Sequence, residues 1–225
     1  MAEILLINPN TSAASLAMML GVARGAGPGL AIRGVCAETG PSMIVDAAQL
    51  AASAAEVVRL GRAAAGVSVI IVAAFGDPGV AELRGLVDVP VIGIGEASVR
   101  EAAAGGRRFG IATTTPELVA AMGAMVERLG VAASFTGVRL ADGDPLSGDP
   151  LSLAAHPAAQ EQALAAAVAA CVERDGAEAV IIGGGPLSDA ARALRDRLAV
   201  AIIEPVPAAV RLAGVLAGQP GEIDQ

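Results

Sequence analysis

The chain has 225 residues, enough for one large domain or two small lobes that fold without disulfide or metal staples. Its 15 basic residues, all arginine, face 23 acidic ones; the net charge of −8, the absence of a basic stripe and a mere three aromatic residues exclude a nucleic-acid surface. No apolar run reaches the length of a membrane span, and the opening MAEILLINPN has neither a basic leader nor a cleavage site, so the expectation is a cytoplasmic protein without membrane contact.

In chain order, strands are expected at Ile4–Ile7, Ala31–Cys36, Val67–Ala73, Val89–Ile94, Arg108–Ala112, Ser134–Val138, Ala179–Gly183 and Val200–Glu204. Helices are expected between them, near 13–24, 44–65, 78–86, 96–104, 116–129, 158–174, 187–198 and 206–217. This alternation predicts an α/β fold with parallel sheets. A duplication lies over it: ILLINPNTS resembles FGIATTTPE, VSVIIVAAFGDPG resembles EAVIIGGGPLSD, and VPVIGIGEAS resembles VAIIEPVPAA. The expectation is two pseudo-symmetric Rossmann-like lobes facing a cleft, residues 1–97 with 206–225 forming one and 98–205 the other. The irregular Ala141–Pro157 stretch reads as a solvated connection or a lid.

Ligands in open parallel sheets sit beyond the carboxyl ends of the strands. Four such ends carry helix-start chemistry: Asn10, Thr11 and Ser12; Asp77 before Pro78; Thr115 before Pro116; Gly185 before Pro186. Backbone N–H groups at helix starts, beside hydroxyls and glycines, suit a small carboxylate, imide or ureide. The candidate binding residues are therefore Asn8, Asn10, Thr11, Ala74, Phe75, Gly76, Thr113, Thr114, Gly184, Gly185 and Pro186. GGGP lacks dinucleotide spacing and no lysine follows either glycine-rich turn, so no nucleotide is expected. Two lone thiols make no metal site: Cys171 sits at helical spacing among apolar residues, and Cys36 ends a strand. His156, the single histidine, reads as a surface or cap residue.

INPNTS, ETGPSMI (Glu38–Ile44), AFGDPG, GIGEAS, IATTTPE and IIEPVPAA, in this order over nearly the whole chain, resemble the hydantoin racemase branch of the aspartate/glutamate racemase superfamily. The resemblance implies no cofactor, a small-molecule substrate held between the lobes, and a homo-oligomer. It also implies one catalytic cysteine per lobe, one removing the α-proton and the other returning it. Those thiols align with Ala74 and Gly184, which cannot exchange a proton. The candidate replacement bases are Glu96 and Glu204, expected as symmetric carboxylates after the fourth strand of each lobe, and Cys36. The expected chemistry is hydrolytic or lyase-type (ring opening, desulfurisation or decarboxylation) on a hydantoin-like or thiohydantoin-like ring or a related carboxylate. The alternatives are a racemase with non-cysteine bases and a binding protein without turnover.

Overall fold

The computed structural model describes residues 3–141 and 153–218, so most of the Ala141–Pro157 stretch, read above as a connection or lid, lies outside the described residues. Two four-stranded parallel sheets form the frame. In the first, β1 (Glu3–Asn8) lies between β2 (Ala31–Cys36) and β3 (Val67–Val72), and β4 (Val91–Gly93) borders β3. In the second, β5 (Phe109–Thr113) lies between β6 (Phe135–Leu140) and β7 (Ala179–Ile182), and β8 (Ala201–Ile203) borders β7. The strand order is the same in both sheets. The strands read as unbroken apolar runs because both faces are covered. In β1, Ile4 and Leu6 join a core shared by both lobes, while Leu5 and Ile7 join an outer core of the first lobe. The second lobe's outer core is built on Leu164, Val168, Val180 and Ile182.

The helices are α1 (Ala13–Ala26), α2 (Ala47–Ala52), α3 (Ala54–Arg62), α4 (Val80–Arg84), α5 (Ile94–Ala102), α6 (Val119–Arg128), α7 (Pro157–Glu173), α8 (Ser188–Arg197) and α9 (Pro205–Ala217). The helix expected over 44–65 is broken at Ser53, whose hydroxyl donates to the Leu50 carbonyl at 2.7 Å. The one expected over 78–86 shrinks to five residues, because Asp77 does not cap it. Its carboxylate turns to α5 instead, and Gly79 in the left-handed region (φ 73°) precedes α4. α9 packs against α1, α5, β3 and β4, and α5 also touches β7, β8 and α6, so the start of α5 stands where the two lobes meet.

Candidate functional site

The registers align the lobes residue by residue. Ile7 pairs with Val72 as Ala112 pairs with Ile182, which makes Asn8 the counterpart of Thr113, Asn10 of Thr115 and Ala74 of Gly184. Each pair of polar residues after the first strand is bonded internally. Asn8 Nδ2 donates to Asn10 Oδ1 at 2.7 Å, and Thr113 Oγ1 lies 3.0 Å from Thr115 Oγ1. Asn10 Oδ1 also accepts from the Ser12 N–H at 2.9 Å, so its amide oxygen is occupied and its NH₂ group remains to donate. Thr113 Oγ1 donates to the Gly183 carbonyl at 2.9 Å, so the hydrogen of the Thr113–Thr115 contact belongs to Thr115.

Between the two corners lies a cavity of about 50 Å³, space for a few water-sized groups. Asn10, Ala74, Phe75, Thr114, Thr115, Gly184 and Gly185 line it, with an apolar wall that includes Met43, Ile44, Leu50, Leu118, Met122 and Leu187. The corners touch: a Cβ on Gly185 would stand 3.2 Å from the Ala73 carbonyl oxygen and 2.8 Å from Met19 Sδ. Among the described residues, the N–H groups of Ala74, Phe75 and Gly185 donate to no other backbone group. Unengaged donors on opposed corners can hold an oxygen that gains negative charge. No Asp, Glu, His, Cys, Arg or Lys side chain is among the described residues lining this cavity. Such an arrangement can polarise a carbonyl or carboxylate; the hydroxyls of Thr114 and Thr115 are weak acids and weak bases, and no side chain that titrates near neutrality is among the described lining residues.

The candidate bases stand elsewhere. Glu96 is on α5, turned outward to Arg84 (3.0 Å) and Arg100 (3.0 Å). Burial opposes its charge, but the two guanidinium groups outweigh it and hold the carboxyl below its ordinary range. Glu204 is 4% exposed and bonds Arg195 at 2.5 Å, with Oε2 left without a partner. The symmetry expected for these two fails by three residues: Ile181 pairs with Ile203, setting Glu204 opposite Ile182, whereas the equivalent Val72 pairs with Gly93. Cys36 lies behind Asn8, accepting from Asn8 Nδ2 at 3.5 Å and donating to the Ser12 carbonyl at 3.4 Å. Asn8 and Thr113 are fully buried beneath the cavity and support it without lining it. Thr11 gives its N–H to the Pro41 carbonyl, tying down the Glu38–Ile44 loop, and Gly76 (φ 126°) is pressed by Leu50. Pro186 is the middle residue of the single turn Gly185–Leu187, whose two ends line the cavity. Cys171 is fully buried on α7, and burial pushes its thiol up to about 11. Among the described residues no group of His, Cys, Asp or Glu is placed to hold a metal ion, and no helix is long and apolar enough to cross a membrane.

The apolar wall escaped the sequence reading, although ETGPSMI carried Met43 and Ile44 in plain view. Asp77 was legible as a cap, but not the helix it caps. Its carboxylate accepts from Gly95 N–H at 2.8 Å and Glu96 N–H at 2.6 Å. Burial pushes its carboxyl up to about 7 against the pull of those two bonds; Glu96 adds to the rise and Arg128 opposes it.

Known proteins bear on this geometry. The profile of Asp/Glu/hydantoin racemase matches residues 4–213. The chain is 28% identical over 215 residues to a hydantoin racemase of Paenarthrobacter aurescens, covering 94% of this chain and 89% of that one. It is 34% identical over 155 residues to a hydantoin racemase of Rhizobium meliloti, covering 69% and 62%. An allantoin racemase from Klebsiella pneumoniae has the same fold, with a TM-score of 0.88 at 29% identity over 97% of this chain and 88% of that one. The chain belongs to the Asp/Glu/hydantoin racemase family.

Proposed function

We propose that this chain is a cofactor-independent enzyme that removes a carboxylate from a small hydantoin-like compound, and that two-thiol racemisation is not its chemistry. One observation carries the proposal: the cavity has donors on both corners and an apolar wall, but no ionisable side chain among the described residues lining it. Of the lyase and hydrolytic reactions considered, ring opening and desulfurisation need a base to activate water. Decarboxylation does not. The bond from the ring carbon to its carboxylate breaks, CO₂ leaves, and the electron pair passes into the adjacent ring carbonyl. The cavity of about 50 Å³ takes the carbonyl edge of the ring, where the resulting oxyanion is held by N–H groups of Ala74, Phe75 and Gly185 and by the Asn10 amide. Solvent water then gives the ring carbon its proton. The relatives named hydantoin racemase and allantoin racemase support the choice of a small ureide ring.

The test is incubation with 5-methylhydantoin-5-carboxylate, following CO₂ release. Release that falls at least tenfold in Asn10→Ala supports the reading. Racemisation of a 5-substituted hydantoin in D₂O, with deuterium entering the ring carbon and no other product, overturns it. The same lining also suits a protein that binds and does not turn over; stabilisation by the carboxylate without CO₂ release identifies that case.

A further inference from the structure

Asp77 stands outside the cavity, three residues past Ala74 on the same loop, and its geometry is unusual in several independent ways. It is the sole described non-glycine residue with positive φ, at 54°. Its N–H closes a turn onto the Ala74 carbonyl at 3.0 Å, and Val80 N–H returns to its own carbonyl at 3.3 Å. Its carboxylate reaches across to the first turn of α5, where two glycines give way to it. A Cβ on Gly93 would lie 2.1 Å from the Asp77 carboxyl carbon, and one on Gly95 would lie 3.1 Å from Oδ1. A single side chain thus joins the loop bearing Ala74 and Phe75 to a helix that packs on both lobes.

We propose that Asp77 is a positioning residue: by accepting two amide hydrogens from α5 it holds the Ala74–Gly76 corner against the second lobe, so that its charge sets how firmly the cavity grips a ligand. The ionised carboxylate accepts both N–H groups. A proton on one oxygen turns that oxygen into a donor facing a donor and breaks one of the two bonds. Solvent reaches the group through an open groove of about 400 Å³ on the far side of the loop. The charged groups lining that groove are Glu82 and Arg84 from α4, Glu96 from α5 with its partner Arg100, and Arg128 from α6. Arg128 comes from the second lobe, so the field at Asp77 also depends on how the lobes sit together. The carboxyl's balance near neutrality, with its pKa at about 7, puts both states within reach.

The proposal rests on the cavity being a ligand site, but its test does not need a ligand. Backbone amide resonances of the ¹⁵N-labelled protein are followed from pH 5 to 9. Gly95 and Glu96, then Ala74 and Phe75, and then Gly185 across the interface are expected to shift with one common midpoint, and Asp77→Asn is expected to flatten all of them. A cap serving α5 alone would move Gly95 and Glu96 and leave Gly185 still; that result, or an unchanged titration in Asp77→Asn, overturns the proposal. Should the variant fail to fold, the wild-type titration of Gly185 decides by itself. With 5-methylhydantoin-5-carboxylate as probe, binding is expected to tighten at least fivefold from pH 6 to pH 8. If the amides titrate together but no probe binds at any pH, the functional reading fails and the positioning role stands.

Discussion

The two corners descend from one pattern but are held in different ways. Both turns close with the same backbone bond, Leu187 N–H to the Gly184 carbonyl at 3.1 Å and Asp77 N–H to the Ala74 carbonyl at 3.0 Å, and in the second lobe the further tie is internal, from Ser188 Oγ to the Gly185 carbonyl at 2.7 Å. In the first lobe the further tie reaches outward, through the Asp77 carboxylate to the first turn of α5. The acids behind the two corners follow the same divergence. Where the first lobe has Gly93 and fills the space with Asp77, the second has Glu204 at the matching position, bonded to Arg195. One half is a rigid glycine-rich cradle, and the other is a strut with a charge in it. Two similar frames thus give one cavity a side tied within its own lobe and a side tied to α5 by a charged group.

The comparison is broken most severely by restoring what the resemblance says both corners have lost. A Cβ at Gly184 meets Leu187 at 3.2 Å, a contact with a flexible side chain, and Ala74 already carries one, so Ala74→Cys with Gly184→Cys is expected to fold. The double variant should exchange the ring hydrogen of a 5-substituted hydantoin about 10²–10⁴-fold faster than wild type, since that is what positioned acid–base groups contribute. NMR in D₂O measures it.

The next effect is the charge in the strut. The Asp77 carboxyl is raised from 3.8 to about 7, so the folded chain binds its proton more tightly than the unfolded chain does. Stability is then greatest below about pH 4 and declines as pH rises through about 7, by up to roughly 4 kcal/mol before solvent relaxation around a partly exposed residue reduces it. Urea unfolding across this range should show that slope in wild type and its loss in Asp77→Asn. Ligand grip and stability thus move in opposite directions with pH, as expected for a carboxylate held ionised at a cost in hydration.

A smaller effect separates neighbouring glycines. Gly185→Val drives a side chain at the Ala73 carbonyl and Met19, and should cost about 1–3 kcal/mol in thermal unfolding, while Gly184→Ala, which meets Leu187 alone, should cost less. The smallest concerns Glu96→Gln. Loosening its half-exposed pairs with Arg84 and Arg100 should cost about 0–1 kcal/mol, with turnover of the carboxylate probe unchanged at pH 9, where Asp77 is ionised with or without the Glu96 charge, because Glu96 does not line the cavity. A large loss of turnover would restore Glu96 as a candidate base.

The β/α alternation was legible because parallel strands covered on both faces leave apolar runs such as Val67–Val72 that local pattern alone identifies. That Asn10, Ala74, Thr114 and Gly185 gather around one cavity was legible because strand ends and helix starts have distinct chemistry. What failed was anything set by register between distant segments. Glu96 and Glu204 each follow a fourth strand, yet pairing puts them three positions apart, and the first turn of α5 points Glu96 at two arginines. Asp77 before Pro78 has the form of a cap, but the glycines that admit its carboxylate to α5 are sixteen and eighteen residues away. Cys36 ends its strand as expected, and the buried Asn8–Asn10 pair stands between it and the cavity.

A cavity that holds charge without supplying a proton leaves its mark on the handedness of the product. Chiral chromatography of 5-methylhydantoin formed in the first minutes from 5-methylhydantoin-5-carboxylate should give equal amounts of the two enantiomers, because the released anion takes its proton from bulk water on either face. A large excess of one enantiomer would mean that the proton is delivered to one face inside the cavity, and would overturn this reading.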